Sequence, residues 1–393
     1  MTKNCDKLNV YVVGWFGHKN SGDDALLVMT IDFLASVGVP VRPVLVVPSY
    51  GQLPPLPIRV DEKLRHRRYR VYTVLKAVLE TLRSDVLFFG GGSVIGDLNL
   101  NMLGALYAKY LMCLAARIKG IPIIFSALGV GPLKTKRGMS LARKILNLAD
   151  IVEARDANSV ALCQELGVKT NIIRSFDPTV LFPIRYGQEL NSESRKPEEL
   201  PTIGIALSNA LSSITLDKTS SERLLRLKSV IEALKDVATR QRFRVAVIQM
   251  CDDDKYGDSS LCKIISDSLS GACEVVQMPY LKNPIEMMFQ FSKLKGVIAE
   301  RLHAAIYAYT LGVRFAIMPS HVKTESFARD VGLDEKFIIS TFSTRAEIMS
   351  AIKMLIEGDK ACIPSLSVIQ AQELAIVARK RMRELLCKKA GFS

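Results

Sequence analysis

Short apolar runs alternate with longer amphipathic stretches along most of this chain. An apolar run followed by a helical pattern is typical of a βα unit, and successive units of this kind build parallel sheets. Strands are predicted at 9–13, 41–47, 85–89, 122–128, 151–154, 202–207, 243–250, 274–278, 296–299, 315–318 and 337–340. Helices are predicted at 24–37, 73–83, 103–119, 140–147, 157–166, 221–240, 259–269, 284–294, 302–311, 345–358 and 367–389. The sequence therefore predicts an α/β protein with Rossmann-like, doubly wound sheets.

The alternation breaks at 185–201, a polar segment with two prolines and no periodicity. A chain of 393 residues exceeds the usual size of one domain. We therefore predict an N-terminal domain at 1–184, a linker at 185–201, a C-terminal domain at 202–363 and a basic terminal helix at 364–393. Ligands of open α/β sheets bind beyond the carboxyl ends of the strands. The expected site is a cleft between two facing domains.

The net charge of the chain indicates which kinds of partner it binds. Lysine and arginine number 53 against 39 acidic residues, a net charge of +14. This favours an anionic partner: nucleic acid, a phosphorylated metabolite or an anionic membrane surface. The cations are dispersed and no nucleic-acid motif accompanies them, so a nucleic-acid partner is not expected.

The cysteines and the apolar segments indicate a compartment. Eight cysteines are scattered without a C-x-x-C pair, which is typical of reduced thiols in a cytoplasmic protein. The first residues lack the apolar core of a signal peptide, and no apolar segment approaches the 20 or so residues of a membrane span. We expect a cytoplasmic protein, and peripheral contact with the inner membrane face is left open. The oligomeric state is not predicted.

Two glycine-rich segments follow predicted strands. The first, 14–24, reads GWFGHKNSGDD, and the second, 90–93, reads GGGS with Asp97 beyond it. Such loops expose backbone N–H groups that can hold an anion or a sugar hydroxyl. The spacing differs from G-x-G-x-x-G, which disfavours a dinucleotide site. A purely structural alternative is that Asp23 or Asp24 caps the following helix.

Three cations and a histidine stand near the ends of predicted strands. Arg155 follows the strand at 151–154, and could clamp a carboxylate or phosphate or simply pair with Asp156. Arg301 and His303 follow the strand at 296–299, and His303 opens the next helix, where it could transfer a proton or be a core residue. Lys323 follows the strand at 315–318, and could contact the cleft or be solvated.

Two further clusters carry less weight. The aspartates at 252–254 with Asp258 lack the spacing of a metal site, so we expect a solvated loop and no metal. The basic segment 65–70, RHRRYR, could contact phospholipid headgroups or a diphosphate-linked acceptor, or form a solvated helix start.

Taken in order, these motifs resemble the polysaccharide pyruvyl transferase family. The segments that carry the resemblance are GWFGHKNSGDDALL (14–27), DVLFFGGGSVIGD (85–97), ALGVGPLKTKRG (127–138), ADIVEARDANSVALCQELGV (149–168), FDPTVLF (176–182) and VIAERLHAAIYAYTLGVRFAIMPSHVKTESFARDVGL (297–333). Single motifs are loose, but the ordered set spans nearly the whole chain. His321 departs from the family, in which an aromatic residue such as tyrosine is common before the lysine. The region 185–260 matches only in pattern.

The resemblance implies a GT-B-like pair of domains and the transfer of pyruvate from phosphoenolpyruvate to two sugar hydroxyls as a cyclic ketal, with release of phosphate. The family positions for phosphoenolpyruvate fall on Arg155, His303 and Lys323, and Arg301 is added from its position. The glycine-rich loops become the expected acceptor site, with Asn20, Gly22, Gly91, Gly92 and Asp97 as its residues. The acceptor is a sugar that is lipid-linked, polymeric or free.

The residues suit this chemistry. Phosphoenolpyruvate carries a carboxylate and a phosphate, and three cations are available for them. We expect His303 to act as an acid or to stabilise the departing phosphate, and Asp23 to orient or deprotonate an acceptor hydroxyl. No cofactor is expected beyond phosphoenolpyruvate as donor substrate.

Two other functions fit parts of the sequence. A GT-B glycosyltransferase that uses a nucleotide sugar would also need glycine-rich strand ends and cations. Its donor ribose would need an acidic residue in the C-terminal domain, and Glu325 is the candidate. A basic binding module for nucleic acid or membrane would need only the charge.

Overall fold

A computed structural model describes residues 7–48, 51–65, 70–97, 100–191, 200–209, 220–254, 257–320 and 322–391. The strands are β1 Leu8–Val13, β2 Val41–Pro48, β3 Asp61–Arg65, β4 Val86–Ile95, β5 Ile123–Val130, β6 Ile151–Ala154, β7 Ile172–Arg174, β8 Thr202–Ala206, β9 Arg244–Ile248, β10 Glu274–Met278, β11 Gly296–Ala299 and β12 Arg314–Ile317. The helices are α1 Ser21–Ala35, α2 Arg70–Arg83, α3 Leu100–Lys119, α4 Lys136–Asn147, α5 Ala157–Glu165, α6 Phe182–Asn191, α7 Ser220–Ala238, α8 Ser259–Leu269, α9 Pro284–Ser292, α10 Leu302–Thr310, α11 Val322–Val331, α12 Arg345–Glu357 and α13 Val368–Lys389.

In the described part of the chain the strands form two parallel sheets. The first has the order β3-β2-β1-β4-β5-β6-β7, and the second has the order β10-β9-β8-β11-β12. In both, the first strand of the sheet pairs with a later strand on each side, which is the strand reversal of a Rossmann-like fold. The predicted α/β class with two doubly wound sheets is confirmed.

The chain divides into two compact units. Unit 1 contains Met1–His18, Asp23–Pro178 and Ala371–Ser393, and unit 2 contains Lys19–Gly22 and Thr179–Gln370. These bounds differ from the predicted ones, because residues 19–22 and 179–184 fall in unit 2 and residues 371–393 fall in unit 1. The first seven residues of the expected linker are the end of α6, whose first residue Phe182 is fully buried. The rest of that linker, 192–199, lies outside the described residues.

The terminal helix α13 packs within unit 1. Arg379 donates to the carbonyl of Met29 at 2.7 Å, and Arg383 donates to the carbonyl of Val37 at 2.9 Å. Met382 and Leu386 are buried in the same apolar cluster as the end of α1. The sequence predicted this segment only as a basic terminal helix, because a basic sequence gives no sign of its packing partner.

No helix in the described part of the chain combines the length and the apolar character that a membrane span requires.

Candidate functional site

The carboxyl edge of the sheet in unit 2 holds the predicted histidine and lysine. Strands β11 and β12 are parallel neighbours, and α10 and α11 begin shortly after them. His303 and Lys323 are each the second residue of their helix, and both are half-buried. Because the first N–H groups of a helix lack partners within it and carry partial positive charge, two adjacent helix starts favour an anion.

His303 is held between a glycine and a tyrosine of unit 2. An ideal Cβ on Gly22 would lie 2.0 Å from the Nδ1 of His303, so the bare backbone of Gly22 rests directly against the imidazole. The imidazole packs edge-on against Tyr307, with ring centroids 6.4 Å apart. Tyr307 is fully buried, and its hydroxyl donates to the carbonyl of Ser21 at 2.7 Å. These contacts fix the position of the imidazole.

The short segment Lys19–Gly22 therefore belongs to unit 2, although it lies early in the sequence. The amide of Ser21 donates to the carbonyl of Met250 at 2.9 Å, and Asn20 forms a β-bridge with Cys251. Asn20 and Gly22 were expected in the N-terminal domain. A one-dimensional pattern cannot show that the start of α1 packs against a strand more than 200 residues later.

Asn20 also begins helix α1. Its Oδ1 accepts a hydrogen bond from the amide of Gly22 at 3.1 Å. The helix starts at Ser21, so Asp23 and Asp24 lie in its first turn and neither is the N-cap. Acidic residues in the first turn stabilise a helix through its dipole.

Arg301 is paired within the protein. Its guanidinium contacts both oxygens of Asp258, whose side chain is completely buried. Burial alone would lower the pKa of Arg301, but the charge and hydrogen bonds of Asp258 outweigh it and raise the pKa above its usual value. The expectation of a solvated loop was wrong for Asp258. Donor binding by Arg301 remains a prediction, and the observed contact gives this side chain a structural function.

Glu300 is a second buried carboxylate at this edge. Its side chain is fully buried and accepts two hydrogen bonds from Arg223, at 2.9 and 3.0 Å, and one from the amide of Ser208, at 2.7 Å. The pairing is bidentate, which is the strongest geometry for an arginine and a carboxylate. Glu300 thereby ties α7 and the end of β8 to the end of β11.

Arg155 lies at the carboxyl edge of the sheet in unit 1. It is 7% exposed, and its nitrogens lie 3.5 Å from Asp177, 3.6 Å from Asp156 and 3.4 Å from the hydroxyl of Ser93. All three distances exceed the roughly 2.7–3.2 Å of ordinary N–H···O hydrogen bonds, so these are loose contacts. Asp156 also caps α5 by accepting from the amide of Ser159 at 2.7 Å. The local pair expected as the alternative is therefore present.

Glu153 is a buried carboxyl two residues before Arg155. It accepts hydrogen bonds from the hydroxyls of Ser126 and Ser175 and from the amide of Ala127, at 2.5–3.0 Å. Burial raises the pKa of Glu153, and these hydrogen bonds offset part of that rise. Ala127 has a positive φ of 46°, and its amide lies where the β5–β6 register shifts. Glu153 therefore accepts a hydrogen bond from the backbone at an irregularity within β5.

The glycines of β4 have structural requirements of their own. Gly91 and Gly92 have φ values of +62° and +83°, a region that glycine enters most easily. An ideal Cβ on Gly90 would lie 3.2 Å from Thr30 of α1. Close packing with α1 accounts for Gly90 and the positive φ values account for Gly91 and Gly92, and acceptor binding by Gly91 and Gly92 remains a prediction.

Asp97 is buried and holds the loop before α4. It accepts from the amides of Lys134 and Thr135 and from the hydroxyl of Thr135, the latter two at 2.8 and 2.5 Å. Thr135 in turn caps α4 through the amide of Gly138. Both oxygens of Asp97 are thus used within unit 1, and its role in acceptor binding remains a prediction.

The predicted site residues fall in both units. Asn20, Gly22, Arg301, His303 and Lys323 lie in unit 2, and Asp23, Gly91, Gly92, Asp97 and Arg155 lie in unit 1. That Arg155 shares a ligand with His303 and Lys323 remains a prediction. His321 and residues 66–69 of the basic segment lie outside the described residues.

The sequence of this chain matches the profile of a known protein family. The sequence profile of polysaccharide pyruvyl transferases matches residues 20–321, more than three quarters of the chain. The chain belongs to the polysaccharide pyruvyl transferase family. The matched residues of this chain include Arg155, Arg301 and His303, and Lys323 lies two residues beyond them. No curated protein sequence matches the chain significantly.

Several solved structures share the fold of this chain. A putative UDP-N-acetylglucosamine 2-epimerase from Listeria monocytogenes has a TM-score of 0.65 at 9% identity, covering 99% of this chain and 98% of that one. The UDP-GlcNAc 2-epimerase from Methanocaldococcus jannaschii has a TM-score of 0.63 at 10% identity, covering 96% and 99%. The enzyme from Neisseria meningitidis, solved bound to UDP-GlcNAc, has a TM-score of 0.59 at 12% identity, covering 97% and 99%. The fold is GT-B-like, as predicted.

Sequence reasoning missed several residues that shape these sites. Glu153 lies inside an apolar strand and Glu300 directly follows one. A carboxylate in such a position could have been recognised from the sequence as a buried, hydrogen-bonded group. Asp177 lies in a segment that carried the resemblance, but it was not singled out. Tyr307 gave no signal, because a tyrosine on an apolar helix is typical of a core.

Proposed function

We propose that this protein transfers pyruvate from phosphoenolpyruvate to two hydroxyls of a sugar in a polysaccharide or glycan precursor, forming a pyruvyl ketal and releasing phosphate. The observation that carries the proposal is the placement of His303, inside the family-matched region, at the start of α10 beside the start of α11. A histidine, a lysine and two helix N-termini at one sheet edge suit a small ligand that carries a phosphate and a carboxylate.

The donor is held by unit 2. Lys323 supplies a full positive charge at the start of α11, and the first N–H groups of α10 and α11 supply partial charge. His303 faces the donor, and the contacts of its ring with Gly22 and Tyr307 hold it in that orientation. Arg155 keeps its predicted role as a further donor cation, and its described contacts lie within unit 1.

The reaction joins two sugar hydroxyl oxygens to the carbon of phosphoenolpyruvate that carries the phosphate. The methylene carbon of phosphoenolpyruvate takes a proton, and one sugar hydroxyl bonds to the neighbouring carbon. The C–O bond to phosphate breaks, and the second hydroxyl closes the ketal. Of the two hydroxyl protons released, one balances the proton taken by carbon and the other leaves with phosphate. His303 delivers the proton or stabilises the departing phosphate, and Asp23 orients or deprotonates an acceptor hydroxyl.

The thiols support a cytoplasmic setting for this reaction. The cysteines that the structure describes are free, and most of them are buried. Free thiols in a large protein are typical of a reducing compartment.

Replacing Gly22 by alanine is expected to lower kcat/KM about 100-fold. The new Cβ would overlap the imidazole of His303, and displacing a reacting group by about 1 Å costs a factor of that order. Gly22 is an early helical residue whose φ is not positive, so alanine fits its backbone. The loss of kcat/KM should therefore come only from the contact between the new Cβ and the imidazole. Steady-state kinetics with phosphoenolpyruvate measures it.

Gly104 offers a matched control for this substitution. An ideal Cβ on Gly104, inside α3, meets nothing within 4 Å. Gly104→Ala should leave kcat/KM unchanged and raise stability by roughly 0.4–1 kcal/mol. Wild-type kinetics in Gly22→Ala would show that the position of the imidazole does not limit the reaction.

Binding separates this function from the alternative, a glycosyltransferase that uses a nucleotide sugar. The solved neighbours with this fold include one bound to UDP-GlcNAc. However, the acidic residue expected to hold a donor ribose, Glu325, pairs with Arg329 one turn later. We therefore favour phosphoenolpyruvate as the donor.

Thermal unfolding with each ligand tests the choice. Phosphoenolpyruvate at ~100 times its Kd should stabilise the protein by about 2.7 kcal/mol, which raises Tm by several degrees. UDP and UDP-GlcNAc should leave Tm unchanged, and Lys323→Ala should weaken the response to phosphoenolpyruvate. A rise in Tm with UDP-GlcNAc and none with phosphoenolpyruvate would favour the glycosyltransferase.

A further inference from the structure

Two neighbouring helices of unit 1 expose an apolar surface. Helices α2 and α3 contact each other, and both pack on the apolar cluster that covers one face of the first sheet. Large apolar side chains lie on their outer sides, and Ile118 is 81% exposed. The exposed residues are Tyr72, Leu75 and Leu79 of α2 and Tyr107, Leu111, Leu114 and Ile118 of α3. We call these seven residues the α2–α3 face.

The spacing of these residues shows that each set lies on one side of its helix. On α2 the steps are three and four residues, and on α3 they are four, three and four. Residues at such steps lie above one another on a helix. Clustered exposed apolar residues on two contacting helices favour an interaction site, whereas single exposed apolar residues do not.

The charged residues of α2 and α3 are mainly positive. The sequences of α2 and α3 contain six lysines and arginines and one carboxylate, Glu80. Two of these six cations are paired with carboxylates, Arg83 with the buried Glu80 and Arg117 with Asp150, so the two helices keep an excess of positive charge. The segment directly before α2, residues 65–69, adds three further arginines to the sequence and no acidic residue.

A small cavity lies beside this face. It has a volume of about 170 Å³ and lies between α2, α3 and the end of β1, with Tyr72, Ala105 and Met112 in its lining. Lys76 and Lys109 also line it. Burial lowers the pKa of Lys109 to about 8, and an anion in the cavity would raise that pKa back towards its usual value. Apolar walls beside two amines suit the boundary between a headgroup and a lipid chain.

We propose that the α2–α3 face docks on the surface of a bilayer rich in anionic lipid. The apolar side chains enter the boundary between headgroups and acyl chains, and the cations meet the lipid phosphates. A second copy of the chain fits this face less well, because a two-fold contact would set the same cations against one another. The proposal goes beyond the pyruvyl transfer reaction and does not depend on it.

Vesicle flotation tests the docking. The wild-type protein should bind vesicles of phosphatidylglycerol and phosphatidylcholine at low salt, and should bind pure phosphatidylcholine at least about tenfold more weakly. Raising the ionic strength to about 0.5 M should also weaken binding, since it screens the charges. Equal binding to both vesicles, or none to either, would overturn the proposal.

Substitutions identify the surface. Ile118→Gln, and the double variant Leu111→Gln with Ile118→Gln, should lower partitioning into anionic vesicles about tenfold or more, because their apolar contact with lipid is lost. Ile369 and Val377 of α13 are also exposed, at 67% and 57%, and glutamine at both is the matched control that should bind like the wild type.

Two further readouts complete the test. Thermal unfolding checks that each variant is folded, and Ile118→Gln alone serves if the double variant is not. Sedimentation equilibrium measures self-association without lipid. If the α2–α3 variants bind vesicles as the wild type does, or if they convert a stable dimer into monomers, the face is not a lipid-docking surface.

Discussion

His303→Gln is expected to lower kcat for phosphate release from phosphoenolpyruvate by about 10²–10⁴-fold, the usual contribution of a general acid or base. Glutamine keeps a polar side chain of similar reach but cannot deliver a proton at neutral pH. His303 is half-buried at a helix start and packs edge-on against Tyr307, so the loss should not extend to the fold. Single-turnover kinetics and thermal unfolding of the same sample measure the two effects separately.

Lys323→Ala is the comparison for this variant. A charge that holds the donor contributes to binding in the ground state, so its loss should raise KM for phosphoenolpyruvate more than it lowers kcat. His303→Gln should therefore mainly lower kcat, whereas Lys323→Ala should mainly raise KM. If His303→Gln kept near-wild-type turnover while Lys323→Ala lost it, the proton-transfer role assigned to the histidine would be wrong.

Asp258→Ala is expected to lower the free energy of unfolding of unit 2 by about 3–5 kcal/mol. Asp258 is completely buried, pairs with Arg301 and accepts from the amides of Asn209 and Cys251 at 3.0 and 3.1 Å. Removing one partner of a buried ion pair leaves the other charge in a poor environment. Urea unfolding of the full chain measures the change.

Asp252→Ala is the matched control in the same loop. Asp252 has a 47% exposed side chain and lies 3.5 Å from Lys19. An exposed pair of this kind contributes about 0–1 kcal/mol. Equal and small losses in both variants would mean that the Arg301–Asp258 pair does not support unit 2, and that Arg301 is available for a ligand.

Periodicity predicted the interior strands well but missed the edges of the first sheet. The predicted strand at 296–299 coincides with β11. In contrast, β3 reads DEKLR and β7 has three residues, and neither was predicted. Both are edge strands, which face solvent and are often charged or short, so hydrophobic pattern cannot reveal them.

Local pattern also failed where tertiary packing decides the structure. Helix α11 was not predicted, and the strand expected at 337–340 is a single bridge between Ile317 and Ile338 after a short 3-10 turn.

The site was predictable in its residue types and not in its contacts. The position of His303 after β11 follows from the sequence, because the strand and the helix start are both visible in the pattern. The contacts that fix it join Ser21 to Tyr307, 286 positions apart. No local pattern reports such a contact. The same holds for Arg301, whose buried partner Asp258 follows a run of aspartates, 252–254, that is typical of a solvated loop.

The most direct test of the account is product analysis after incubation of the full chain with phosphoenolpyruvate and a panel of acceptor glycosides, lipid-linked and free. We expect stoichiometric release of phosphate and a product whose mass equals that of the acceptor plus one pyruvyl ketal. His303→Gln should suppress both. Release of UDP from UDP-sugars, with phosphoenolpyruvate unconsumed for every acceptor, would contradict the account.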